Sequence, residues 1–166
     1  MAIALAPLTR AHLPALVVLA SDPAVQQFTR VPIGDAVAGW LARYEAGRGD
    51  GTREAFAILD ESGGFAGAAL APRIDRGART VELGYMVVPA ARGRGLATAA
   101  LELLARWAFA ELGALRLELL IGTDNHASRT VAQRAGFRCE GVLRSLHIRD
   151  DLRADTEIWS RLPGDP

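Results

Sequence analysis

Arg92, Gly93, Arg94, Gly95, Leu96 and Ala97 stand between an apolar run ending in Val87-Val88-Pro89 and a helical run from Thr98 to Leu112. Strand, glycine loop and helix in that order aim successive backbone N–H groups and the positive end of a helix at one point. Such a donor set suits a phosphate or pyrophosphate. Gly93 and Gly95 matter because a Cβ at either would hold an anion away from the backbone. The loop is not a Walker A, since no Gly-Lys-Ser/Thr follows, and Thr98 stands where a dinucleotide fingerprint needs its third glycine. Plain turns also use Gly-x-Gly, so the loop alone narrows the chemistry no further than an anion.

A second set lies downstream. Asn125 and Ser128, three residues apart, share one face of a helix that closes on Gly136-Phe137, and Asn125 is also a natural N-cap. Together, Arg92, Gly95 and Ala97 followed by Asn125, Ser128, Gly136 and Phe137 resemble the two motifs of the GNAT superfamily of acyl-CoA-dependent N-acetyltransferases, in the right order and spacing. The wider string, from Thr123-Asp124-Asn125-His126-Ala127-Ser128 to Gly136-Phe137 and Glu140-Gly141, is similar to the branch containing the Rim-type ribosomal-protein N-terminal acetyltransferases. Asp155 and Ile158-Trp159-Ser160 match that branch's closing strand. The likeness is close over residues 79–162 and covers the first half in general layout only.

The resemblance implies acetyl-CoA as co-substrate. Its pyrophosphate would sit on Arg92, Gly93, Arg94, Gly95, Leu96, Ala97 and Thr98, and its pantetheine arm would pair with the strand edge at Met86, Val87 and Val88. A backbone N–H near Met86 or Val87 is then the candidate for polarising the thioester carbonyl. Asn125 is implied to hold the pantetheine, and Ser128 to lie near the thioester sulfur. Many relatives carry a tyrosine general acid one turn after Ser128, where this sequence has Ala132. Ser128 is therefore the expected proton donor to the leaving thiolate.

The attacking amine must be neutral, which is easy for an α-amine of pKa about 8 and costs roughly three pH units for a lysine. Glu82, on the strand that leads to the glycine loop, is one candidate base or water-orienting group, with a solvent-facing ion pair as its alternative. His147 is the other, because it falls where the Rim-type branch often has a carboxylate, and imidazole titrates near neutrality. His12 and His126 carry no such placement. No His, Cys, Asp and Glu cluster at ligand spacing implies a metal. Asp150-Asp151 reads as a turn, Asp155 as a strand start that could organise His147 or the acceptor mouth, and Cys139 as a buried inert thiol.

The chain of 166 residues suits a single domain, 1–166, that buries about 70% of its unfolded surface. Its formal charge is zero and its pI about 6.8, which gives no field for general binding to nucleic acid or membrane. All 19 basic residues are arginine, whose planar guanidinium suits phosphate. The single cysteine excludes an intrachain disulfide, and Met1 to Leu8 is too short for a signal or a span. The expected location is cytoplasmic.

These residues need a frame. Ile3 to Leu8 reads as a strand, Thr9 as the cap of a helix to Ala20, Asp22-Pro23 as the start of a short turn to Phe28, and Asp35 as the cap of a helix to Ala46. Ala55 to Leu59, Phe65 to Leu70 and Thr80 to Val88 read as strands, followed by a helix burying Leu96, Ala100, Leu103, Leu104 and Trp107 and stopped by Gly113. Leu115 to Ile121 is a strand, Asn125 to Ala135 a helix, and Phe137 to Ile148 with Ala154 to Leu162 an antiparallel pair. The fold class is α/β (α+β), one mixed, mainly antiparallel twisted sheet of about six to seven strands with helices on both faces. The crossover from Val81 to Ile121 must be parallel and right-handed. The resemblance implies a V-shaped split between these two parallel central strands.

The expected activity is transfer of an acetyl group from acetyl-CoA to a primary amine, a protein N-terminal α-amine first, by direct attack in a ternary complex. A small amine acceptor such as an aminoglycoside, amino acid or polyamine, another acyl donor, and a non-catalytic acyl-CoA-binding module are the alternatives. Expected partners are acetyl-CoA and the acceptor, with a possible homodimer.

Overall fold

The computed structural model describes residues 2–149 and 151–165, so the expected turn residue Asp150 lies outside the described residues, as do Met1 and Pro166. Seven strands form one sheet: β1 (Ala4–Pro7), β2 (Glu54–Leu59), β3 (Phe65–Asp75), β4 (Thr80–Val87), β5 (Arg116–Gly122), β6 (Arg138–Arg149) and β7 (Leu152–Arg161). The helices are α1 (Leu13–Ala20), α2 (Pro23–Phe28), α3 (Ala36–Asp50), α4 (Leu96–Leu112) and α5 (His126–Arg134). The spatial order is β1-β2-β3-β4-β5-β7-β6. Every neighbouring pair is antiparallel except β4–β5, which is parallel, as the crossover through α4 requires.

Period-two alternation along β4 supplies both faces of the sheet. Val81, Leu83 and Val87 join a core with α4 and α5, while Met86 joins a second core with α1, α2 and α3. The strand is thus buried on both sides at the centre of the fold, with helices covering both faces. Its pairing with β5 is short. Thr80, Val81 and Glu82 stand opposite Arg116, Leu117 and Glu118, and beyond Glu82 no further partners join the two strands. β4 runs on to Val87 and β5 to Gly122, so a split opens toward their carboxyl ends.

Several local expectations change. The first helix begins at Leu13 after a 3-10 turn over Arg10–His12, because Pro14 belongs in a first turn, where no N–H is needed. Asp35 makes no side-chain cap bond. β3 continues past Leu70 to Asp75 through an irregularity next to Pro72, which cannot donate to a ladder. In α4 the buried stripe is Leu96, Ala100, Leu101, Leu104, Ala105 and Ala108. Leu103 and Trp107 are half-buried at its margin, with the Trp107 ring edge-on to Phe56 at 5.1 Å. Cys139 is exposed rather than buried, because β6 is the outer strand and no helix covers it there.

Candidate active site

The glycine loop is built by backbone conformation. Gly93 and Gly95 have φ of 71° and 79°, in the left-handed region open to glycine, and Gly95 forms the N-cap of α4. The Ala99 N–H donates to the Gly95 carbonyl at 3.1 Å as the first helical bond, so the N–H groups of Leu96, Ala97 and Thr98 have no helical acceptor. A Cβ built on Gly93 or Gly95 meets nothing within 4 Å. Three N–H groups without helical acceptors thus stand beside the open space over the two glycines, the kind of site where anions bind.

Arg92 is already engaged. Its Nη2 donates to Asp22 Oδ1 at 2.5 Å, and its Nε donates to the Val87 carbonyl at 3.2 Å. Asp22 also caps α2, accepting from the N–H groups of Ala24 and Val25 at 3.1 and 3.2 Å. The Arg92 hydrogen bond is the main cause holding the Asp22 carboxyl below its ordinary pKa. Arg94 stays exposed. Of the two loop arginines, Arg92 is held by hydrogen bonds, while Arg94 is exposed with its charge acting on Asp60.

On the β4 edge, Met86 and Val87 point their N–H groups in opposite directions. Val88 N–H donates to Ala66 O toward β3 at 2.9 Å, and Gly67 and Val87 are opposed in the same register. Alternation then turns the Met86 N–H toward β3 and both the N–H and C=O of Val87 toward the split. Arg92 occupies that carbonyl, which leaves the Val87 N–H as the donor facing the gap. Gly67 is required here, since any Cβ would collide with the Met86 carbonyl.

Across the gap, Asn125 caps α5 by accepting from Ser128 N–H at 3.1 Å. This leaves its amide NH2 as a donor. The helix is tied to β7 through Glu157, which is buried and accepts from the Trp159 indole at 2.8 Å while pairing with Arg129 at 3.2 Å. Ser128, beside Arg129 on α5, is thereby fixed at the split. Facing it from β4 is Tyr85, which the sequence reading passed over. Its hydroxyl is buried with no hydrogen-bond partner. Burial pushes the phenol up to about 12, and Ser128 draws it partly back, although the two hydroxyls fall short of normal hydrogen-bond geometry. Alternation would have found it, because Tyr85 shares the face of Leu83 and Val87 that packs on α4 and α5.

Glu82 lies at the base of the split, on the last β4 residue paired with β5, and on the opposite face from Tyr85. It does not stand free. Arg73 Nε lies 3.4 Å from Glu82 Oε2, and the same guanidinium reaches Glu118 at 3.2 Å. Arg116 joins Glu118 at 2.7 Å and Glu140 at 2.6 Å, and Ser160 donates to Glu140, whose pKa falls to about 2 chiefly through Arg116. His147 is two strands beyond β5 and is not brought to Glu82. Its Nδ1 is 2.8 Å from the hydroxyl of buried Thr156. The Asp155 carboxylate accepts from Ser145 N–H at 2.8 Å and so shapes the hairpin that carries His147.

Among the described residues, no group of three or more His, Cys, Asp or Glu side chains could hold a metal ion. An open cavity of about 600 Å³ lies at the other end of the sheet, lined by Asp50, Thr52, Arg53, Arg73, Asp75 and Arg76. It is remote from the loop, Ser128 and Tyr85.

A model of the acetyltransferase (GNAT) domain matches residues 3–138. The chain belongs to the GNAT acetyltransferase family. It is 32% identical over 91 residues to the ribosomal-protein-serine acetyltransferase of Escherichia coli (strain K12), a match covering 54% of this chain and 50% of that protein. It is also 32% identical over 82 residues to the uncharacterized N-acetyltransferase YoaA of Bacillus subtilis (strain 168), covering 49% of this chain and 46% of that one. The chain spans about half the length of the curated relatives it matches. In fold it is similar to the spermidine N-acetyltransferase of Vibrio cholerae, solved with CoA and spermine, with a TM-score of 0.88 at 17% identity over 98% of this chain and 96% of that one. The expected GNAT architecture, with its parallel central pair and split, is the one observed.

Proposed function

We propose that the protein is an acetyl-CoA-dependent N-acetyltransferase that passes an acetyl group to a primary amine by direct attack, with a protein N-terminal α-amine as its principal acceptor. The observation that carries this reading is the open space over Gly93 and Gly95 at the carboxyl end of the split, in a chain of this family. The N–H groups of Leu96, Ala97 and Thr98 would hold the pyrophosphate, with Arg94 beside them. The strand edge at Met86, Val87 and Val88 would align the pantetheine with help from Asn125. The Val87 N–H would stabilise the oxyanion as the amine attacks. Glu82 would order a water that takes the amine proton, and Ser128 would face the departing sulfur; His147 keeps the weaker claim to the base. Since acetyl-CoA is an intracellular metabolite, the reading places the work in the cytoplasm.

A small polyamine is the second reading, favoured by likeness to the Vibrio enzyme. The carboxylates at the base of the split count against it. Glu82 and Glu118 are both met by Arg73, and Glu118 also by Arg116, which weakens any field for a polycation. A thiol-release assay with acetyl-CoA against Ser- and Ala-starting peptides, spermidine and spermine tests both. Turnover is expected with a peptide; turnover confined to the polyamines would overturn the acceptor, and no thiol release with any amine would count against the enzyme reading.

A further inference from the structure

Burying a hydroxyl without a partner costs free energy, so such a group in a native structure calls for an explanation. Tyr85 Oη is such a group. It sits on the strand that forms one wall of the split, near Ser128 on the helix that forms the other. Ala132, one turn after Ser128 on α5, is fully buried in the same core and has no polar atom to offer. The tyrosine hydroxyl beside Ser128 therefore comes from β4, behind the wall of the split and closed to solvent. The other tyrosine, Tyr44, belongs to the core on the opposite face.

We propose that Tyr85 is a further catalytic residue, whose hydroxyl donates a hydrogen bond to the sulfur of CoA as the thiolate departs, beside Ser128. This rests on the acetyl-CoA reading above. The amine lone pair forms the N–C bond, the C–S bond breaks with its electron pair going to sulfur, and the amine's surplus proton leaves through water at Glu82. The Tyr85 proton does not transfer. A phenol at about 12 is a far weaker acid than a thiol of roughly 8.5, so Tyr85 stays protonated and acts as a fixed dipole where charge develops. In the free protein the hydroxyl has no hydrogen bond of normal geometry to give up, and a sulfur seated against it would offset the cost of its burial.

The test needs no acceptor. Wild-type protein and Tyr85→Phe are titrated by calorimetry with CoA and with desulfo-CoA, at about pH 7 and about pH 9, either side of the free thiol pKa of roughly 8.5. Wild type is expected to prefer CoA over desulfo-CoA, more so at the higher pH where the thiolate predominates. In Tyr85→Phe that preference falls about tenfold at the higher pH, as loss of a hydrogen bond to a charged acceptor implies. Its desulfo-CoA affinity is expected to hold, and its Tm not to fall, since the deleted hydroxyl makes no protein hydrogen bond of normal geometry. An unchanged preference, a parallel loss of desulfo-CoA affinity, or a lowered Tm would each overturn the assignment, the last by revealing a structural role. Wild type that binds neither compound would overturn the acetyl-CoA reading itself, and Tyr85's role with it.

Discussion

Asp22 and Arg92, 70 residues apart in sequence, meet in a bond that couples the cap of α2 to the loop before α4. The bond makes Arg92 a brace for the glycine loop. Arg92→Gln is expected to lower Tm and to weaken acetyl-CoA binding by less than about tenfold, in keeping with a partly exposed pair worth about 1 kcal/mol or less. Differential scanning calorimetry and titration calorimetry read the two effects. A loss of a hundredfold or more in affinity with Tm unchanged would show the guanidinium to be a direct ligand.

Gly95→Asp should abolish acetyl-CoA binding. The side chain would fill the space left open over the loop, place a negative charge against a phosphate, and hold a left-handed backbone at a cost of about 1–2 kcal/mol. Gly95→Ala separates the causes, since it carries the backbone cost without the charge. Retained affinity in Gly95→Asp, measured by calorimetry, would move the pyrophosphate elsewhere.

Glu82→Gln is expected to lower kcat on the order of a hundredfold at saturating acetyl-CoA, the lower range for losing a general base. His147→Gln is expected to stay within about threefold of wild type with the same rate profile from about pH 6 to about pH 9, a span around the reference values of His and an α-amine. The geometry behind this is that Glu82 ends the paired part of β4, whereas His147, three strands away on β6, is engaged with Thr156. The reverse ranking in steady-state kinetics would transfer the role to His147.

The sequence holds two tyrosines, Tyr44 and Tyr85, and burial is the first cause pushing each from 10.0 up to about 12. Because both folded values lie above the unfolded one, their contribution to stability is whole below about pH 10 and is lost as pH rises toward 12. An ultraviolet titration of native protein should show no phenolate near pH 10, and its absorbance should rise only near 12 or with unfolding. A phenolate step near 10 in folded wild type that vanishes in Tyr85→Phe would mean that this hydroxyl is open to water.

What could be read from the chain was what local pattern encodes. Gly93 and Gly95 announce their backbone, Asn125 its cap, and the run from Val81 to Ile121 its parallel crossover, because turn chemistry and period are written in adjacent residues. What escaped depends on distant partners. The bond from Arg92 to Asp22 spans 70 residues and leaves no local sign, and Cys139 sits in an apolar run whose place at the sheet edge is a matter of strand order. Glu157 gave no local sign that it would be buried between Trp159 and Arg129. Tyr85 is an intermediate case: strand parity puts its phenol on the face of Leu83 and Val87, but its nearness to Ser128 depends on how α5 packs.

Only three residue pairs, at Thr80 to Glu82 against Arg116 to Glu118, stitch β4 to β5. Mechanically the molecule is two leaves, β1 to β4 and β5 with β7 and β6, on a short seam backed by α4. A molecule bridging the gap beyond that seam acts as a splint. It should slow amide exchange in both leaves together, including at positions it never touches, so that rigidity itself becomes a signal that the cleft is filled.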